Sequence, residues 1–116
     1  MNHSGEYFRG FTEYVILSIL SKFDSYGYEM TKIIESVSES NFSLTEAALY
    51  SALKRIQEDG KISSYSEKNK KGMTRKFYQI TPKGIDDLQA FRLDWKVIEQ
   101  NLTKLVGGGF KYTRED

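Results

Sequence analysis

A mostly α fold with a small β-hairpin, namely a winged helix-turn-helix domain plus a long C-terminal dimerisation helix, is predicted by three stretches of this sequence. The first, Ser43 to Gly60, has clear helix start and stop signals. The second is a pair of short runs rich in β-branched and aromatic residues, Ile62 to Ser66 and Thr74 to Ile80, joined by the basic tip Lys68-Asn69-Lys70-Lys71-Gly72. The third is an apolar seam at alternating spacings of three and four: Leu88, Phe91, Trp95, Ile98, Leu102 and Leu105. The expected divisions are residues 8–81 for the winged domain, 82–106 for the dimerisation helix and 107–116 for a flexible tail.

In chain order, a first helix is expected from Phe8 to Ser21. Phe8, Phe11, Val15 and Ile19 lie on one side and Ile16, Leu20 and Phe23 on another. A helix apolar nearly all round is covered on more than one side, so part of its surface is expected to meet a second subunit. Asp24-Ser25-Tyr26-Gly27 reads as a turn capping a second helix, Gly27 to Ser38, with Met30, Ile33, Ile34 and Val37 inward. Ser38 to Asn41 break the pattern. In the third helix Ser43 and Glu46 are spaced as a capping box, Phe42 and Ala47 as a hydrophobic staple, and Gly60 as the left-handed stop. Leu49, Ala52, Leu53 and Ile56 must then face a core, leaving Glu46, Ala47, Tyr50, Ser51, Lys54, Arg55 and Glu58 outside. Hydroxyls and cations on one face suit phosphates and base edges. A plain amphipathic surface helix is the alternative for this stretch taken by itself.

The net charge is only +1, but Lys68, Lys70, Lys71, Arg75 and Lys76 face a single carboxylate, Glu67, within ten residues. Charged tips also keep hairpin edges from aggregating. Mixed signs would serve that purpose equally well, so an almost purely cationic tip favours phosphate contact. Three helices followed by a basic hairpin is the winged-helix plan. Thr81-Pro82 then opens a helix as N-cap and first-turn proline. Its seam has too few neighbours within one chain, which points to a second copy of the protein as partner. Packing on the chain's own first helix is the alternative, and both can hold.

Length and composition fit one modest core, with 116 residues, 39% hydrophobic and 28% charged. Without cysteine there are no disulfides or thiolate metal sites, and the single histidine, His3, lies in a polar opening segment expected to be disordered. Tyr14 to Leu20 is too short an apolar run to span a bilayer, so no membrane partner and a cytoplasmic location are expected. There is no nucleophile with an available base and no glycine-rich phosphate loop, and the adjacent Asp86 and Asp87 point apart on a helix. The chain is not expected to be an enzyme or to carry a cofactor or metal.

Four segments resemble the PadR family of bacterial transcriptional regulators. They are Arg9 to Leu17, Tyr26-Gly27-Tyr28-Glu29-Met30, Leu49 to Ile56, and Arg75 to Gly84, and the likeness covers residues 9–106. It implies a homodimeric repressor of the short type, binding a palindromic operator in double-stranded DNA through two reading helices in successive major grooves. On that reading the DNA-binding residues are Ser43, Thr45, Tyr50, Ser51, Lys54, Arg55, Lys68, Lys70, Lys71, Arg75 and Lys76, and the dimer interface is Leu88, Phe91, Trp95, Ile98, Leu102 and Leu105. The segments Ala47 to Tyr50 and Gly60 to Tyr65, with the position of Trp95, are similar to a multidrug-responsive member in which paired tryptophans sandwich flat aromatic drugs. That likeness implies ligand contacts at Trp95, Phe91, Asp94, Ile98, Glu99 and Val15, for a planar aromatic or phenolic inducer, flat cations included because Asp94 or Glu99 could offset a positive charge. Packing alone is the other role open to Trp95. Lys96 directly after it departs from that member, so the ligand range does not carry over. The competing function is a winged-helix protein–protein interaction module without specific DNA binding.

Overall fold

Residues 11–115 are described by a computed structural model, in the order α1 (Thr12–Leu20), β1 (Ser25–Tyr26), α2 (Gly27–Val37), α3 (Glu46–Glu58), β2 (Ile62–Lys68), β3 (Thr74–Ile80) and α4 (Pro82–Gly107). The expectations for His3 and Phe8, and the expected domain start at residue 8, lie outside the described residues. Helices α1, α2 and α3 surround one core in which Ile16, Leu17, Met30, Leu49, Leu53 and Ile56 are all but fully buried. Ile62 and Tyr78 from the sheet and Leu88 from α4 complete it. Each such aliphatic side chain contributes about 1.5–3 kcal/mol by leaving water. Val37, expected inward, is 80% exposed at the last residue of α2, while Ile33 is only partly buried.

Two details of the third helix differ from the sequence reading. The helix begins at Glu46 with Thr45 as its cap, the threonine hydroxyl accepting from the Ala48 amide at 3.1 Å. Ser43 therefore sits in the preceding loop, exposed, and forms no capping box. Both residues have cap chemistry; Leu44 packing against the core brings Thr45, rather than Ser43, to the first turn. At the other end Gly60, at φ +77°, closes a Schellman motif as the sequence predicts: Lys61 N–H donates to Ile56 and Gly60 N–H to Gln57.

The expected hairpin belongs to a three-stranded antiparallel sheet ordered β1-β3-β2. Ser25 and Tyr26, expected in a turn, pair with Tyr78 and Phe77 on the free edge of β3. A two-residue strand is too short to show a period, and it exists because β3 offers it unpaired backbone groups. The wing runs to Lys68, two residues beyond the expected end. Its tip turns on Asn69, whose side-chain oxygen accepts from Lys71 and Met73 amides at 2.9 and 3.0 Å. Gly72 there takes φ +80°.

Thr81 caps α4, accepting from Gly84 N–H at 3.2 Å, with Pro82 in the first turn. The helix ends at Gly107, one residue past the expected boundary, and Gly108 follows at φ +75°. Its first turn is clamped to the end of α3. Thr81 N–H donates to the Lys61 carbonyl at 3.0 Å, the Thr81 hydroxyl to Gly60 at 2.7 Å and Lys83 Nζ to Asp59 at 2.7 Å. Lys61 Nζ pairs with Asp87 at 3.0 Å, a contact that holds the lysine pKa above its ordinary value against the opposing effect of burial. Gly84 is the close-approach residue of this joint: a Cβ there would overlap the Lys61 carbonyl oxygen and stand 2.8 Å from Ile80 Cγ1. Gly84→Ala is expected to destabilise the fold by about 1–3 kcal/mol through overpacking, although alanine is the better helix former. Gly107→Ala, in open space, should stay within about 0.5 kcal/mol of wild type, and urea unfolding of the two variants checks the contrast.

Candidate nucleic-acid interface

The outer face of α3 presents Tyr50, Ser51, Lys54 and Arg55 to solvent, with Thr45 at its N-terminal end. Arg55 is not free on that face. Its Nε donates to Glu13 of α1 at 3.0 Å and its Nη1 to Ser51 Oγ at 3.1 Å. The pair is half exposed and so contributes little stability, but it draws the guanidinium toward α1. Because Glu13 lies 42 residues away, no local pattern in the sequence signals this contact.

All five wing cations are exposed. Arg75 and Lys76, neighbours on β3, point to opposite faces of the strand. The Arg75 guanidinium lies 4.5 Å from the centre of the Tyr26 ring and Lys76 Nζ lies 5.5 Å from that of Tyr78. A cleft of about 320 Å³ joins the wing to the reading helix, lined by Tyr26, Gly27, Tyr28, Tyr50, Thr74, Arg75 and Lys76. The sequence reading missed Tyr26, Gly27, Tyr28 and Thr74 as members of this surface. Their assembly depends on β1 pairing with β3. The aromatic stack behind it, Tyr26 edge-on to Phe77 and Tyr65 parallel to Phe77, stiffens the wing base. Tyr65 also donates to Asp24 Oδ2 at 2.7 Å, and that bond raises its phenol pKa to about 12.

A second, apolar cleft of about 490 Å³ lies between α1 and α4. It is lined by Phe11, Tyr14, Val15, Ser18, Phe42, Leu88, Phe91, Arg92 and Trp95. Tyr14 stacks on Phe91 with centroids 3.7 Å apart, and Phe11 meets Trp95 edge-on at 5.2 Å. Of the sequence-derived ligand set, Trp95, Phe91 and Val15 line the cleft; Asp94, Ile98 and Glu99 do not. Arg92, which donates to Ser18 Oγ at 3.0 Å, is its one charged lining residue among those described. Along the seam, Leu88 is buried and Phe91 half-buried against this chain's own α1, whereas Ile98, Leu102 and Leu105 are progressively exposed, the last at 64%. Among the described residues no helix is long and apolar enough to cross a membrane, and no group of three or more His, Cys, Asp or Glu side chains is placed to hold a metal ion.

Comparison with known proteins places these surfaces in context. Residues 16–90 match the family described as transcriptional regulator PadR-like. A solved transcriptional regulator from Clostridium thermocellum is 34% identical, with a TM-score of 0.79 over 87% of this chain and 95% of that one. A PadR-like transcriptional regulator from Bacillus cereus is 27% identical, with a TM-score of 0.78 over 88% of this chain and 97% of its own. The transcriptional regulator YqjI of Escherichia coli is 32% identical over 84% of this chain, which spans only 45% of YqjI.

The Tyr65–Asp24 bond makes wing anchoring pH-dependent. The folded-state phenol titrates above the unfolded one, so the bond's contribution is complete below pH 10 and is lost as pH rises toward 12. Tyr65→Phe is expected to lower stability at pH 8 and to flatten the alkaline decline between about pH 10 and 12. Urea unfolding across that range checks both, and an unchanged decline would show the bond to be inert.

Proposed function

This chain belongs to the transcriptional regulator PadR-like family, and on that premise we propose that it is a homodimeric repressor of a palindromic operator, relieved by a planar small molecule bound beside Trp95. The observation that carries the DNA-binding part is the single cleft in which Tyr50 of the reading helix meets Arg75 and Lys76 of the wing. In a protein of net charge +1, concentrating five cations next to the reading helix produces a local attraction for phosphate without a general affinity for anions. The fit is to a duplex: α3 enters the major groove while the wing tracks the adjoining backbone.

The dimer follows from α4. It is about 39 Å long at 1.5 Å per residue, and its contacts with α1 and the α3 joint run from its first turn to Trp95. The second half carries Ile98, Leu102, Leu105 and Val106 into solvent. A second copy placed by a two-fold axis covers this face with its own α1 and α4, and sets two reading helices at a fixed spacing. The aromatic cleft lies at the edge of the same face. Its volume suits one small molecule. With Arg92 as the charged lining group among the described residues, a neutral or phenolic planar ligand fits better than a cationic one. Binding there would weaken repression only by preferring one spacing of the reading heads over the other.

The reading is tested by fluorescence-polarisation titration of the purified protein against a promoter duplex and a random duplex over a range of salt. Tight, salt-sensitive preference for one sequence is expected; no binding to either at low salt would favour the interaction module instead. Replacing Lys70, Lys71 and Lys76 together with Ala should weaken binding to every sequence alike and shallow the log–log salt slope by about two to three for each bound protomer. An unchanged slope would remove the wing from the interface. Trp95 is the only tryptophan, so its fluorescence reports the seam directly. Trp95→Ala is expected to cost about 2 kcal/mol or more of dimer stability in sedimentation, and planar phenols should quench the wild-type emission; neither effect appearing would exclude Trp95 from both roles.

A further inference from the structure

Gly27 opens α2 with an ordinary right-handed backbone, unlike Gly60, Gly72 and Gly108, so no turn requires glycine there. Glycine is also the poorest helix former after proline. The demand comes from another element. A Cβ on residue 27 would overlap the phenolic oxygen of Tyr50 and stand 2.8 Å from Cζ and 3.3 Å from Cε1 of the same ring. The missing side chain is thus the seat of the Tyr50 ring, which reaches from the reading helix across the first turn of α2. Tyr50 is nevertheless 48% exposed, so it is not there to fill the core. Its hydroxyl makes no hydrogen bond among the described residues. It opens into the cleft whose other wall is Thr74, Arg75 and Lys76.

We propose that Gly27 is a positioning residue, holding the Tyr50 phenol in the cleft between α2 and the wing, where its hydroxyl donates to a DNA backbone phosphate beside Arg75. The Arg75 guanidinium, held over the Tyr26 ring that lines the cleft, makes phosphate, rather than a base edge, the acceptor this cleft fits. A neutral donor held at a fixed place sets the register of the reading helix on the duplex without releasing a counterion, so its contribution is independent of salt. The inference rests on the DNA-binding reading above and adds to it a residue that cannot itself touch DNA through a side chain.

The test is a four-protein cycle of wild type, Gly27→Ala, Tyr50→Phe and the double variant. The probe is a duplex enriched from a random pool by the wild-type protein, and binding is measured at several salt concentrations. Gly27→Ala should fold, because the atoms it meets are the outer end of one side chain that can swing into solvent. Tyr50→Phe keeps the ring and removes only the hydroxyl, so it tests the phosphate contact even if the alanine variant proves unstable. Each single substitution is expected to weaken binding by about ten-fold for each bound protomer, the size of a hydrogen bond to a charged group. The salt slope should be unchanged, and the double variant should be no weaker than Tyr50→Phe alone. Losses that multiply in the double variant would show Gly27 acting independently of the hydroxyl and overturn the proposal. So would wild-type affinity in either single variant, or a slope that falls with the affinity, which would implicate the neighbouring cations. Failure to enrich any duplex would sink the DNA-binding reading itself, an outcome distinct from enrichment followed by an inert Gly27.

Discussion

The joint between the end of α3 and the start of α4 is the contact on which the rest of the arrangement depends. Gly60 ends the reading helix in a left-handed turn, and the next residue, Lys61, offers its carbonyl to Thr81 N–H. Gly84 then lets α4 approach that carbonyl at a distance no side chain permits. Hydrogen bonds from Thr81 and Lys83 and the Lys61–Asp87 pair close the joint from both sides. These short contacts at one point join the end of α3, the wing base and the first turns of α4 in one packed joint.

In the proposed dimer that joint would give α4 leverage. A helix whose start is packed on the winged domain, and whose second half presents an apolar face, would convert a small change in dimer packing into a change in separation of the two winged domains. The aromatic cleft sits where such a change would be felt, between α1 and the middle of α4, with Arg92 and Ser18 bridging the two helices. Under the proposed ligand response, coupling between a ligand there and DNA would be reciprocal: whatever free energy the ligand withdraws from the DNA-bound spacing, DNA would withdraw from ligand affinity.

Electrostatics and aromatic packing divide the work on the opposite side. On the proposed DNA-binding role, the exposed wing cations would supply attraction to the duplex that is the same for every sequence. The stack of Tyr26, Phe77 and Tyr65, tied to Asp24, keeps the wing at a fixed angle to the reading helix. Arg55, though on the outer face of α3, is held by Glu13 and Ser51, whereas Tyr50 and Lys54 beside it are exposed.

Much of this fold is local and therefore legible from residue order. The core face of α3, the Gly60 stop, the two wing strands with their cationic tip and the Thr81-Pro82 start of α4 each follow from periodicity and cap chemistry within a few residues. Choosing Thr45 over Ser43 as cap required knowing that Leu44 packs inward. The strand at Ser25 and Tyr26 required knowing that β3 has a free edge, and the Arg55 pair required bringing together residues 42 positions apart. The same holds for the cleft shared by Tyr50, Gly27 and Arg75. Sequence alone determined which elements form and where charge and apolar surface lie along them, since those depend on short-range spacing. Tertiary structure alone decided which side chains meet, because a contact between distant residues is set by how close two backbones come, as Gly27 and Gly84 show.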